Sequence, residues 1–246
     1  MKTKLLLGSS VALVGLSSFA VGGEYIAPPV SSGPAPSSTC AWTFEAAALY
    51  LKADSEDSSG YEDQDFEWAY RLGIAYDNGG CLGVRFRFFN FDGTNNSGSN
   101  DEQGPEIQSY DLEVFSGFAL GSWQAQWSAG VRYLDRQEPY GGSYDVNYDG
   151  WGPTASIELT HPLTQALDFY VNARASFIFG DDDENEAADD TPVLEAGFGI
   201  QYNTVLFGNC ESYVRLGVEG QRYKNLAYEY TDGDLYGGVL GFGLAF

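Results

Sequence analysis

The feature of this sequence that most constrains its fold is a series of ten segments in which large apolar residues alternate with polar or small ones. A period of two is the side-chain repeat of a β-strand. The segments lie near residues 42–52, 66–77, 82–91, 108–120, 123–135, 148–161, 167–179, 193–206, 211–224 and 235–246. With ~10–14 residues each, they are long enough for tilted strands to cross a bilayer. The pattern predicts ten strands.

The breaks between these segments alternate in length. The short breaks are residues 77–80, 121–122, 162–166 and 207–209, and the long ones are 53–65, 92–107, 136–147, 180–192 and 225–234. Bacterial transmembrane barrels have short periplasmic turns and longer external loops, whereas a soluble sandwich has no reason to keep this order. We therefore predict an all-β fold: a transmembrane, antiparallel, up-and-down β-barrel of about ten strands, with both chain ends on the periplasmic side.

Each predicted strand has one broad apolar face and one small or polar face. In segment 66–77 the apolar face carries Phe66, Trp68 and Tyr70, and the other face carries Glu67 and Arg71. Lipid outside a barrel and a crowded lumen inside it require this division. Aromatic residues also cluster near the strand ends, as interface girdles do. The periplasmic set is Trp42, Tyr76, Trp123, Tyr202 and Phe246, and the outer set is Tyr50, Phe66, Tyr110, Tyr133, Tyr148, Trp151 and Tyr236.

The two ends of the chain carry targeting signals. Lys2 and Lys4 precede an apolar stretch and the small-residue site at Ser18–Ala20, which is typical of a secretory signal peptide. We predict a signal peptide at 1–20, a Pro/Ser-rich periplasmic tail at 21–41 and a barrel at 42–246, located in the cell outer membrane. The last segment places Tyr236, Phe242 and Phe246 on its apolar face, and we expect these three residues to form an assembly signal read by the barrel-assembly machinery.

The charge of the chain limits its partners. Twelve basic residues stand against 35 acidic ones, a net charge of −23, so we expect no nucleic acid partner. Outer-membrane lipid is the predicted environment. Many carboxylates fall in the long breaks, including the run 181–184, and they could hold divalent cations, although a solvated loop is the simpler interpretation. These residues are Asp54, Glu56, Asp57, Glu62, Asp63, Asp101, Glu102, Glu106, Asp181, Asp182, Asp183, Glu184, Glu186, Asp189 and Asp190.

Charged residues also occur on the faces predicted to line the lumen. They are Glu45, Glu67, Arg71, Arg85, Arg87, Asp111, Glu113, Arg132, Glu158, Arg174, Glu195, Arg215 and Glu219. Six cations against seven anions is close to balance, and buried charges must be paired or hydrated. Arg85 and Arg87 are predicted to form one cluster with Arg71 and Glu67 on one side and Asp111 and Glu113 on the other. Such a cluster either fills a narrow barrel or forms the charged constriction of a pore.

Catalytic and metal motifs do not stand out in the sequence. His161 is the single histidine, and we expect it to be a turn residue. No P-loop, G-x-S-x-G or Cys/His couple is present, so we expect no enzyme, cofactor or metal centre. Cys40, Cys81 and Cys210 each start a strand at the periplasmic end, where export permits a disulfide. Three cysteines allow three single pairings and leave one unpaired.

The opening strand Cys-Ala-Trp-Thr-Phe-Glu-Ala-Ala-Ala-Leu-Tyr-Leu-Lys (residues 40–52) and the Gly/Phe-rich last strand resemble the Legionella-type major-outer-membrane-protein-like pore family. The resemblance implies a pore-forming outer-membrane protein. The functional expectation is thus a porin-like barrel that allows passive passage of small hydrophilic solutes or ions. The alternative is a structural or adhesive surface barrel with a plugged lumen, which acts through its acidic external loops.

Overall fold

The computed structural model describes residues 41–55, 65–79, 82–94, 103–140, 144–182, 185–206, 210–224 and 233–246. Within these residues the chain forms ten strands, and no helix is long and apolar enough to cross a membrane. The strands are β1 (Ala41–Ser55), β2 (Phe66–Asp77), β3 (Gly83–Thr94), β4 (Gln103–Leu120), β5 (Trp123–Tyr140), β6 (Tyr144–Pro162), β7 (Leu167–Asp182), β8 (Asn185–Leu206), β9 (Cys210–Tyr223) and β10 (Gly233–Ala245). The predicted signal peptide and Pro/Ser-rich tail lie outside the described residues, apart from Ala41 at the start of β1.

The strands form one closed barrel in which every strand pairs with its neighbours in sequence. The ring closes where β1 pairs with β10, from Thr43 opposite Ala245 to Ser55 opposite Gly233. Beyond the last strand residue, the backbones of Trp42 and Phe246 exchange hydrogen bonds of 2.9 and 3.0 Å. Closure leaves no strand edge unpaired, as lipid requires. The predicted all-β, antiparallel, ten-stranded barrel is confirmed.

Two of the predicted long loops are instead strand. The chain between β5 and β6 is residues 141–143, and between β7 and β8 it is residues 183–184. The prediction of loops at 136–147 and 180–192 was therefore wrong. Backbone pairing continues along both hairpins, up to Tyr140 opposite Tyr144 and Asp182 opposite Asn185. Polar composition indicates that a segment is exposed to water. It does not distinguish a loop from a hairpin that extends into water.

The outside of the barrel is apolar. Large hydrophobic side chains project from every strand, and Trp68, Trp151 and Leu216 are among the most exposed at 67%, 67% and 59%. A continuous apolar belt of this kind requires lipid around it. Of the predicted girdle residues, Tyr148 does not belong there: it points inwards and is 5% exposed, because the even-numbered residues of β6 face the lumen.

The inside of the barrel has two layers. On each of four strands that run away from the short turns, a charged residue comes first and an apolar one follows on the same face. The pairs are Glu45 and Leu49 on β1, Arg87 and Phe91 on β3, Arg132 and Leu134 on β5, and Arg174 and Ile178 on β7. A polar layer therefore lies on the side of the short turns, and an apolar layer lies towards the hairpins.

Gly237 permits the close approach of β10 to β1. A Cβ atom there would lie 1.9 Å from the carbonyl oxygen of Tyr50, whereas a Cβ on Gly238 would meet nothing within 4 Å. We expect Gly237→Ala to lower the free energy of unfolding by about 1–3 kcal/mol, because the closing strand pair must shift. The matched control Gly238→Ala should stay within about 0.5 kcal/mol of the parent. Urea unfolding in detergent measures both, and equal effects would contradict this account of the barrel closure.

Candidate functional site in the barrel lumen

Six charged side chains form a connected network in the middle of the lumen, hereafter the central network: Arg85, Asp111, Glu113, Arg132, Arg174 and Glu195. The Nε and Nη2 of Arg85 donate to Glu113 at 3.0 and 2.8 Å. The Nε and Nη2 of Arg132 donate to Asp111 at 2.6 and 2.9 Å. Arg174 joins the two halves, since its Nη1 contacts both Asp111 and Glu113.

Strand register explains why these charges meet. Arg85 lies directly opposite Glu113 on β4, and Asp111 lies opposite Arg132 on β5. Glu195 is opposite Arg174 and also pairs with Arg132 across the lumen. The side chains of Glu113 and Asp111 are 0% and 4% exposed, so the network is buried. Fork-shaped guanidinium groups and carboxylates with several lone pairs suit such multiple contacts.

Two further ion pairs flank the central network. Arg71 forms a bidentate pair with Glu219 of β9, with an Nη1–Oε2 distance of 2.9 Å. Arg215 forms a bidentate pair with Glu158 of β6, with an Nη1–Oε2 distance of 2.9 Å. Glu67 was predicted to be the partner of Arg71. The carboxylate that forms the bidentate pair with Arg71 is instead Glu219, across the lumen. Glu67 is half-buried on the inward face of β2. Of the predicted cluster, Arg85, Asp111 and Glu113 lie in the central network, and Arg71 pairs with Glu219 beside it.

Glu45 and Arg87 complete the predicted lumen set. Glu45 accepts a hydrogen bond of 2.8 Å from the hydroxyl of Tyr213, whose ring lies 4.6 Å from the Arg215 guanidinium. Arg87 lies opposite Asp111 in the strand register. Within the part of the chain that the structure describes, however, no hydrogen bond or ion pair involves Arg87.

An apolar layer lies inside the barrel above these charges. Each of the ten strands contributes at least one residue to it. Its members are Leu49, Leu51, Ala53, Ala69, Phe89, Phe91, Ile107, Leu134, Tyr148, Ile178, Val193, Tyr223, Leu235 and Val239. None of them is more than 9% exposed, and Leu49, Leu51, Leu134, Ile178 and Val193 are fully buried. These side chains therefore pack against one another inside the barrel.

Sequence reasoning missed several of the residues that fill the lumen. Arg136 is 4% exposed and lies 5.9 Å from the ring of Tyr223. It was overlooked because strand five was predicted to end at residue 135. Arg136 nevertheless lies on the same inward face as Arg132 and Leu134, two residues further along the strand. Tyr213 was missed because a single uncharged polar residue gives no pattern. Gln126 lies on the inward face of β5 with Arg132. Gln126 accepts from Arg85 at 3.2 Å.

The other predicted sites are placed as follows. The residues of the predicted assembly signal, Tyr236, Phe242 and Phe246, face outwards and are 43%, 40% and 63% exposed. Cys210 is a free, half-buried thiol at the start of β9, and Cys40 and Cys81 lie outside the described residues.

His161 is the last residue but one of β6 and not, as was predicted, a turn residue. Its ring lies against Trp123, with 4.8 Å between the ring centroids. The described residues contain no group of three or more His, Cys, Asp or Glu arranged to hold a metal ion. Of the acidic residues predicted in the loops, Asp54 and Asp190 are exposed and Glu106 is half-buried on β4. Asp181, Asp182, Glu186 and Asp189 lie within strands; Glu56, Asp57, Glu62, Asp63, Asp101, Glu102, Asp183 and Glu184 are outside the described residues.

The closed ten-stranded ring, the apolar exterior and the polar interior define a bacterial outer-membrane type of β-barrel. No family model and no curated protein matches the chain. Among solved structures, the β-domain of the Bordetella autotransporter BrkA is similar, with a TM-score of 0.52, 12% identity, and coverage of 85% of this chain and 99% of that one.

Two further solved structures are similar at lower scores. Neisserial surface protein A has a TM-score of 0.40 and 13% identity, and covers 83% of this chain and 97% of its own. The outer-membrane protease OmpT from Escherichia coli has a TM-score of 0.41 and 8% identity, over 84% and 96%. At these identities the likeness concerns the fold. Resemblance to the Legionella-type pore family is not confirmed, but the broader class of outer-membrane barrels is.

Proposed function

We propose that this protein is a structural or adhesive barrel of the cell outer membrane whose lumen is closed and whose hairpins carry its surface function. The apolar layer is the observation that carries the proposal. All ten strands contribute to it, and its members are almost completely buried. A hydrated ion cannot cross a packed apolar layer without opening it, because burial of an unpaired charge is costly.

The ion pairs support the same function. Several of their charges are bound to one another in bidentate geometry, as in the pair of Arg132 and Asp111. A charge that lines an open channel must remain available to a passing ion. Most lumen charges of this barrel are engaged, so the network fills and rigidifies the interior.

The projecting hairpins are the surface that remains for an external partner. β5 and β6 pair up to Tyr140 and Tyr144, past the last β4–β5 pair, Glu106 with Gln137. β7 and β8 likewise continue past the last β8–β9 pair, Val193 with Tyr223. Strands β5 to β8 therefore form a four-stranded ribbon that extends beyond the last residues paired with β4 and β9. Its acidic sequence favours partners with positive charge, including divalent cations.

A passive pore for small hydrophilic solutes is the second candidate. It is favoured by a cavity of about 90 Å³ among the lumen charges. To conduct, the apolar layer would have to move aside. Liposome swelling separates the two candidates: vesicles that contain the folded barrel should take up small sugars no faster than empty vesicles, while vesicles that contain a known porin swell. Swelling that scales with the amount of this barrel would favour the pore.

The proposed assembly signal can be tested at Phe246 without disturbing barrel closure. Its backbone pairs with Trp42, so a deletion would also remove two hydrogen bonds. Phe246→Ala retains them, and we expect it to reduce the amount of folded barrel in the outer membrane several-fold. Phe44→Ala is the control, since it removes only the ring stacking at 5.6 Å from Phe246. Equal membrane levels for Phe246→Ala and the parent would show that the side chain carries no signal.

A further inference from the structure

The lumen cavity has an unusual set of donors. It lies on the short-turn side of the apolar layer and has a volume of about 90 Å³. A single water needs roughly 10–15 Å³ by this kind of measure, so the space suits several waters or one polyatomic ion. Five arginines line it: Arg71, Arg85, Arg87, Arg174 and Arg215.

Arg87 presents an unpaired guanidinium to this cavity. No residue that the structure describes forms a hydrogen bond or an ion pair with it. Five arginines and four glutamates line the cavity. Its wall therefore carries a net positive charge, although the protein as a whole is strongly acidic.

Arg174 adds a second unused donor. This residue is 5% exposed, and its Nη1 is occupied by Asp111 and Glu113. Its Nη2 is buried and has no hydrogen-bond partner among the described residues. A buried donor without a partner is costly, roughly 1–3 kcal/mol, so such atoms are normally satisfied by water or by a ligand.

The carboxylates on the cavity wall are engaged, in contrast to these donors. Glu219 pairs with Arg71, Glu158 with Arg215, and Glu195 with Arg132. Glu45 accepts from Tyr213. The cavity therefore has spare N–H donors and no carboxylate without a partner, which is the arrangement that selects an anion.

We propose that this cavity is a binding site for a small inorganic oxyanion of the size of phosphate or sulfate, held by Arg87. Planar guanidinium groups bind tetrahedral oxyanions through paired N–H contacts, which single spherical ions cannot match. The bound anion provides Arg87 with a negatively charged partner. Its binding stabilises the folded barrel, because a ligand of the folded state shifts the unfolding equilibrium.

Equilibrium dialysis of inorganic phosphate against the full-length barrel, folded in a zwitterionic detergent and chloride-free buffer, tests the site. We expect saturable binding of a single phosphate per chain, with competition by sulfate. Arg87→Gln should weaken the affinity about tenfold or more, since it removes a charge-assisted contact. The matched control is Arg222→Gln, on the outer face beside Asp234, and it should leave the affinity unchanged.

A second variant tests the site independently in case Arg87→Gln does not fold. Glu45→Gln removes a negative charge from the cavity wall but keeps an acceptor for Tyr213, so it should tighten phosphate binding several-fold. Heat-modifiable migration on gels verifies that each variant is folded. Absence of saturable binding in the parent, full affinity in Arg87→Gln, or weaker binding in Glu45→Gln would each overturn the proposal.

Discussion

Replacement of Glu113 by alanine is expected to lower the free energy of unfolding by about 3–5 kcal/mol. Glu113 is 1% exposed and accepts two hydrogen bonds from Arg85 and a contact from Arg174. Its loss leaves buried guanidinium groups without compensation, which is the costly way to break a buried ion pair. Urea unfolding in detergent, followed by tryptophan fluorescence, measures the change.

The matched control is the exposed pair of Arg222 and Asp234, whose side chains are both 38% exposed at a separation of 3.8 Å. Arg222→Ala should cost at most about 1 kcal/mol, because solvent screens an exposed pair. The double variant Arg85→Ala/Glu113→Ala should cost less than the sum of the two single variants, since neither Arg85 nor Glu113 is left without the other. Additive costs would contradict a direct pairing of these two residues.

Replacement of Phe91 by alanine is the second change with a large expected effect. Phe91 is 1% exposed within the apolar layer, and removal of a buried phenyl ring usually costs about 3–5 kcal/mol. Phe86 is the matched control: it lies on the same strand, faces lipid and is 42% exposed. Phe86→Ala should cost clearly less, because lipid chains fill the space that the ring leaves. A larger cost at Phe86 than at Phe91 would mean that the two faces of β3 are assigned the wrong way round.

The positions of the strands, and the face of the strand on which each residue lies, could be predicted from the sequence because both depend on local information. A period of two determines which residues share a face, and neighbouring strands in an up-and-down barrel pair in sequence order. Arg85 and Glu113 were therefore correctly expected on adjacent strands, and the register places them opposite one another.

Contacts across the lumen could not be predicted in the same way. Arg71 on β2 reaches Glu219 on β9 only because the ring closes with a particular stagger, which no local pattern records. The apolar layer was missed for a related reason. Leu49 and Leu51 follow Glu45 on the inward face of β1, while Tyr50 occupies the outward face. A segment that is apolar on both faces does not reveal that the lumen changes from polar to apolar along its axis.

Conductance of the folded barrel in planar lipid bilayers tests the closed lumen most directly. The comparison is between the parent and a triple variant in which Leu51, Phe91 and Leu134 of the apolar layer are replaced by glycine. The parent should insert without stable channels at physiological salt, and the triple variant should give discrete conductance steps once its folding has been verified on gels. Stable ion-conducting steps from the parent, of a size similar to those of the triple variant, would contradict the closed lumen.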